Sequence, residues 1–300
     1  MIILSKWGQH TIELIIACVI LIGIAVFYST YQLVPVHTHS HQFTTVRKYS
    51  AYNSPTLYFH GLQGSARSTN HLITVGSKTD GRKVMTINVE RDGHILYRGH
   101  LNRKIHNPLV QVNFLDNTAP ISKQVHWLHQ ILIHLKSKDR CNNYNAVAHS
   151  AGAVTVLEAT DQFGQQERVA KLQKFVSIGG PYDGVIGMND RDNENRITNN
   201  GKPEFWKAAN RWYPSYGQLL KASQRFPANV KVLNIYGNLS YRLNSDQYVS
   251  TASARSLRYL LHQHPDNYQE VQIYGHYAQH SRLHHNSVVD RLVDRFIFNE

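Results

Sequence analysis

The sequence predicts an α/β protein: a mostly parallel sheet with helices on both faces, behind an N-terminal transmembrane helix. Three observations predict it. Apolar runs alternate with helical patterns from Thr56 onward. A turn of small residues joins one of these strands directly to a helix at Ser150. An apolar run, IELIIACVILIGIAVFY, fills Ile12–Tyr28 with Glu13 as its single charge.

The N-terminal run comes first. At ~1.5 Å per residue, it and its flanks are long enough to cross a hydrocarbon core of ~30 Å. Lys6 precedes it, and no Lys or Arg follows until Arg47. The positive-inside rule then keeps residues 1–11 in the cytoplasm and sends the rest outside. The run is apolar all round, which sets it apart from a core helix with one wet face. It reads as a signal anchor over residues 12–28. Cleavage at Gly23-Ile24-Ala25 is an alternative. A lipobox reading of Ile15-Ile16-Ala17-Cys18 is another, although the apolar run continues well past Cys18. Residues 29–50 read as a juxtamembrane linker. Within it His37, His39 and His41 alternate, as ligands on one strand face would, but no Cys, Asp or Glu joins them.

Residues 51–300 read as one domain. Of the 300 residues, 42% are hydrophobic and 17% charged, a globular balance that excludes wholesale disorder. Lys and Arg number 32 against 20 acidic residues, for a net charge of +12. That charge favours anionic surroundings such as wall polymers or acidic lipid. The basic residues are scattered, and no nucleic-acid motif accompanies them, so no nucleic-acid partner is expected. The two cysteines, Cys18 and Cys141, are badly placed for a disulfide. A disulfide-free extracellular chain suits a bacterium.

The expected strands are Thr56–Phe59, Lys83–Val89 with Ile95–Arg98 beside it, Leu109–Phe114, Asn143–Ala148, Phe175–Ile178, Val230–Tyr236 and Glu270–Tyr274. Helical periodicity covers Ile121–Leu135, with Val125, Leu128, Ile131, Leu132 and Leu135 on one face. Further helices are expected over Gly152–Ala159, Ser250–His262 and Ser287–Phe298. Alternation of this kind dictates a parallel sheet with helical crossovers. Residues 182–227 interrupt it with a polar, turn-rich stretch followed by Phe205, Trp206, Trp212, Tyr213 and Tyr216. An insertion this long points to a lid or binding element.

Ala148-His149-Ser150-Ala151-Gly152 matches the nucleophile elbow G-x-S-x-G with alanine in first position. The turn is sharp and the helix packs close, so small residues must flank the serine. The N–H of Ala151 is one oxyanion donor. Leu62, in the loop His60-Gly61-Leu62 after an early strand, supplies the second, and Gly61 admits the close approach. An acid and then a histidine must follow in chain order. Asp246 follows the strand ending at Tyr236. Its competitor Asp266 precedes a strand and so belongs to the opposite end of the sheet. Four histidines fill the last loop. His280 is the first choice, His284 the second and His276 the third.

The strings FHGLQGSARS, VAHSAGAVTVL, KFVSIGGPYDG, VLNIYGNLSYRLNSDQYVS and GHYAQHSRLHHNSVVDRLVDRFIF resemble an uncharacterised cell-surface α/β-hydrolase family of Gram-positive bacteria. The resemblance runs from Tyr58 to Glu300 and implies the α/β-hydrolase fold and a Ser-Asp-His triad. Small bacterial lipases are a more distant likeness. They too can carry alanine at the first elbow position, and their histidine pattern supports His280. One departure stands out: the family often has glycine after the acid, where this chain has Gln247.

The expected activity is carboxylic ester hydrolysis by Ser150, Asp246 and His280, with no metal or organic cofactor. The ester would be a small molecule, a lipid or a wall component. A non-catalytic binding module on the same fold and an acyltransferase serving a wall acceptor are the alternatives.

Overall fold

The computed structural model describes residues 18–22, 54–102, 104–262 and 265–298. Residues 18–22 are helical and exposed. No helix among the described residues is long and apolar enough to cross a membrane. Most of the predicted anchor, and all of the linker with His37, His39 and His41, lie outside the described residues.

The described residues form one eight-stranded sheet. Its strands are β1 (Thr56–Phe59), β2 (Arg82–Val89), β3 (Ile95–Gly99), β4 (Pro108–Phe114), β5 (Asn143–His149), β6 (Lys171–Ile178), β7 (Lys231–Asn238) and β8 (Tyr268–Tyr274), in the spatial order β3-β2-β4-β1-β5-β6-β7-β8. All pairs are parallel except β2 with the edge strand β3. The helices are α1 (Ala66–Thr79), α2 (Ile121–Ser137), α3 (Ala151–Phe163), α4 (Tyr216–Ser223), α5 (Thr251–Arg255), α6 (Leu257–Leu260) and α7 (Ser287–Phe298).

The pleat sorts side chains into two cores. Leu57, Phe59, Val110, Val112 and Phe114 pack with Val125, Leu128, Ile131 and Leu132 of α2 and Val154 and Leu157 of α3. Tyr58, Leu109, Val147 and Val176 point the other way, onto Leu72 and Ile73 of α1 and Val289, Val293 and Ile297 of α7. Strands buried on both faces need continuous apolar runs, and β1 and β4 are buried at every position. The spacing of four in Val289, Val293 and Ile297 places one residue per turn on the same side of α7.

One predicted element differs from the observed one, and two observed helices were not predicted. Ser250–His262 is not one helix but the short pair α5 and α6. At the break, the Ser256 hydroxyl bonds the Ser253 carbonyl at 2.7 Å, and Tyr216 donates to the Ser256 carbonyl at 3.0 Å. These bonds compete with the helical ladder. Helices α1 and α4 were not foreseen. Only four residues of α1 are buried, Thr69, Leu72, Ile73 and Gly76, so its apolar stripe is thin. It is started instead by a capping box at Ser65 and Ser68.

Candidate active site

Ser150 stands between β5 and α3 with φ 55° and ψ −124°. A non-glycine residue at positive φ costs of order 1–2 kcal/mol, and this one is held there from both sides. Its N–H donates to the Ile178 carbonyl at 2.9 Å, and its carbonyl accepts from Ala153 N–H at 2.9 Å. Small neighbours are a steric requirement. A Cβ on Gly61 would lie 2.7 Å from Ser150 Cβ, and one on Gly152 would lie 2.6 Å from the His60 carbonyl oxygen.

Leu62 lies in the loop between β1 and α1, and Ala151 is the first residue of α3. The Gly61 carbonyl accepts from His60 Nδ1–H at 2.9 Å and from Gly64 N–H at 3.0 Å. Across a trans peptide the next N–H points the opposite way, so the Leu62 N–H is turned away from those partners. Ala151 opens α3, and its N–H belongs to the first turn, where no helical carbonyl can receive it. His60 fixes this loop. Its Nε2 accepts from Phe114 N–H at 3.0 Å, which leaves the proton on Nδ1 for Gly61. Burial lowers the His60 pKa, so the ring stays neutral and keeps that tautomer.

Asp246 and His280 are brought together from the loops after β7 and β8. His280 Nδ1 lies 2.7 Å from Asp246 Oδ2, and the His280 N–H donates to the Asp246 carbonyl at 2.9 Å. Asp246 is 1% exposed. Its other carboxylate oxygen accepts from Tyr248 N–H at 3.0 Å and Val249 N–H at 2.7 Å. A carboxylate can only accept, so His280 donates from Nδ1, and in the neutral ring Nε2 is the nitrogen with the free lone pair. The pair sits beside the elbow. Gly179 follows Ile178, the acceptor of the Ser150 N–H, and a Cβ on Gly179 would lie 3.2 Å from His280 Cε1 and 3.3 Å from Asp246 Oδ2.

The other histidines are placed differently. His284 is buried with its ring 4.8 Å from that of His149, and desolvation, with His285 and His280 adding to it, lowers its pKa to about 4. His276 lies on the surface against Arg282. Asp266 lies in a 3-10 turn that leads into β8, at the opposite end of that strand from His280. His149 was not singled out in the sequence. It is buried, and its Nε2 bonds the His280 carbonyl at 3.1 Å. Desolvation, reinforced by His280 and His284, keeps it neutral.

Between β6 and β7 the chain is pinned down by polar contacts. Asp183 accepts from Asn195 Nδ2 at 2.7 Å and Lys207 N–H at 2.8 Å. The Lys207 ammonium in turn bridges Asp190 at 3.1 Å and Glu194 at 2.6 Å. Further on, Tyr213 is buried, and burial raises the pKa of its hydroxyl. Tyr213 is among the aromatics noted in the sequence. A cavity of about 500 Å³ is lined by His60, Arg98, Gln111 and Asn113; Ser150, Asp246 and His280 do not line it.

Gln247 adopts φ 92°, the conformation glycine favours, at the position where the sequence departs from its resemblance. Gln247→Gly is therefore expected to stabilise the fold by about 1 kcal/mol, the relief of left-handed strain exceeding the entropy glycine loses. The lost bond from Gln279 to Gln247 is exposed and offsets little of this. A urea midpoint that fails to rise would show that the loop relaxes without glycine.

The sheet order and the strand–serine–helix turn define an α/β-hydrolase fold. The chain belongs to the family described as alpha/beta hydrolase of unknown function, whose model matches residues 43–300. A gene product of Listeria innocua has a similar structure, with TM-score 0.72 and 22% identity over 83% of this chain and 95% of that one. So has a Lactobacillus plantarum protein named as a presumed cell surface hydrolase, with TM-score 0.61 and 19% identity over 82% and 90%. At these identities the likeness speaks for the fold. No curated protein matches the sequence.

Proposed function

We propose that the protein is a membrane-anchored extracellular serine hydrolase acting on carboxylic esters. The observation that carries this reading is the Asp246–His280 hydrogen bond beside a serine held at positive φ on the elbow. The Ser150 Oγ attacks the ester carbonyl, and its proton passes to His280 Nε2. The carbonyl electron pair moves onto oxygen, where the N–H groups of Leu62 and Ala151 receive it. Collapse breaks the bond to the leaving alkoxide, which takes the proton from His280. Water then attacks the acyl-enzyme through the same histidine and frees the acid. Asp246 holds the imidazole and stabilises its cation.

A fluorophosphonate probe tests the reading, because it phosphonylates only an activated serine. Labelling at Ser150, together with turnover of short p-nitrophenyl esters, is the expected result. An unlabelled, folded protein that turns over none of these esters would leave a binding module.

The location rests on the apolar residues 12–28, on Lys6 before them, and on the similar protein named for the cell surface. Protease added to protoplasts should degrade residues 51–300, and full-length protein should stay with membranes through a high-salt wash. Protection from protease after the wall is removed would refute the outward topology. A shortened protein in the medium would point to cleavage near Ala25.

A further inference from the structure

We propose that His149 is a positioning residue for the base: its side chain ties the backbone of His280 to the strand end that carries Ser150. The proposal rests on the serine-hydrolase reading above.

The strand pattern aims His149 at its partner. β5 ends at His149, and Ser150 is the next residue. Side chains alternate along a strand, so His149 points to the same face as Val147, two residues back. Val147 belongs to the core formed with α1 and α7, and so do Ala278 and Leu283, on either side of His280 in the chain. The neighbour of the nucleophile therefore faces the loop that carries the base. There His149 Nε2 lies 3.1 Å from the His280 carbonyl oxygen, and both residues are buried. A carbonyl can only accept, so Nε2 carries the proton and donates.

The His149 ring is held on two sides. Its centroid lies 4.5 Å from that of His280, and the His284 ring packs edge-on against it at 4.8 Å. Burial, with His280, His284 and His60 around it, keeps the His149 pKa well below that of an ordinary imidazole. The neutral ring matters to the reaction. When His280 takes the Ser150 proton it becomes a cation, and a second charged ring at that distance would oppose the transfer. A neutral ring donates to the His280 carbonyl without that cost.

His280 is thus fixed at three atoms. Its Nδ1 and its N–H both bond Asp246, at 2.7 Å and 2.9 Å, and both bonds lead to the loop after β7. They set the tautomer and the tilt of the ring. The bond at the carbonyl leads instead to the strand of the nucleophile. Because His149 and Ser150 are consecutive, this bond sets the separation between base and nucleophile. Proton transfer from Ser150 Oγ to His280 Nε2 depends on that separation, and a misplacement of ~1 Å can cost on the order of 10²-fold in rate.

Three substitutions in the full chain test the strut. Glutamine places its amide nitrogen about where the imidazole has Nε2. Asparagine places it about where the ring has Nδ1, too short to reach the His280 carbonyl. Methionine matches glutamine in length and cannot donate. With p-nitrophenyl butyrate, His149→Met and His149→Asn should lower kcat about 10²-fold with KM changed less than about threefold. His149→Gln should bring kcat back to within about threefold of the parent. The rate of fluorophosphonate labelling at Ser150 should follow the same order, because that attack also uses His280 as base. A residue that only filled space would make methionine and glutamine equivalent, so equal kcat in these two variants would overturn the proposal. If His149→Met does not fold, the comparison passes to His149→Asn and His149→Gln, two amides that differ by one methylene, and equal kcat there would overturn it as well. Labelling of the parent separates the two levels. If Ser150 of the parent is labelled but the variants show no such order, only the role of His149 falls. If the parent is not labelled, the serine-hydrolase reading falls, and this proposal with it.

Discussion

Replacing Ser150 with alanine is expected to lower ester hydrolysis by ~10⁴-fold or more while leaving the fold in place. In the proposed mechanism the loss is large because Ser150 supplies the only atom that bonds the acyl group. His280, the oxyanion donors and the binding contacts would remain, and together they sustain only a weak background. The fold should persist because the change removes one oxygen at a position 8% exposed, and alanine meets the same backbone cost as serine at φ 55°. The bonds from Ser150 N–H to Ile178 and from Ala153 to the Ser150 carbonyl do not use the side chain. The measurement is kcat/KM with a p-nitrophenyl ester, set beside the thermal midpoint. A variant that melts like the parent and keeps full activity would place the nucleophile elsewhere.

The central part of this site was legible because its chemistry is local. The elbow is a run of five residues between a strand and a helix, and the need for small side chains around Ser150 can be read before any contact is known. The oxyanion loop is legible for the same reason, since His60-Gly61-Leu62 closes an apolar strand. Asp246 and Asp266 could be separated by topology, because only one follows a strand at the end of the sheet where the serine stands. Even the strain at Gln247 was foreshadowed by a residue where glycine was expected.

What sequence could not supply is contact between distant segments. Tyr213 lies 63 positions beyond Ser150, in a stretch with no regular period. The placement of its backbone depends on Asn210 and, through the Trp212 carbonyl, on Ile121 at the start of α2. His149 was overlooked because it reads as the filler residue of the elbow. Its bond to the His280 carbonyl spans 131 positions. His60 was visible as half of an oxyanion dipeptide, but its bond to Phe114 requires β4 to lie beside β1, a neighbour relation that chain order does not give. Helix α1 was missed because its apolar stripe is thin, while the Ser65 cap that starts it was present in the sequence all along.

The second large effect is expected at His280, where the last loop offered several histidines and the sequence alone could only rank them. His280→Ala should match Ser150→Ala, with a loss of ~10⁴-fold. His284→Ala and His276→Ala should be milder, for different reasons. His276 is exposed and leans on Arg282. His284 is buried beside His149 and His285, and its Nδ1 has no hydrogen-bond partner. Its replacement would disturb packing and so affect stability more than turnover. Only His280 has a carboxylate on Nδ1 and backbone bonds that hold it from both sides. Asp246→Asn supplies an independent check. The N–H groups of Tyr248 and Val249 would hold the amide oxygen where Oδ1 now accepts them, which turns the NH₂ toward His280 Nδ1. His280 would then be forced to accept at Nδ1 and carry its proton on Nε2, the wrong tautomer for a base, and turnover should fall ~10⁴-fold with little change in size. If His284→Ala is the inactive variant while His280→Ala and Asp246→Asn turn over normally, the bonded pair is structural and the base must be sought along the His149–His284 contact.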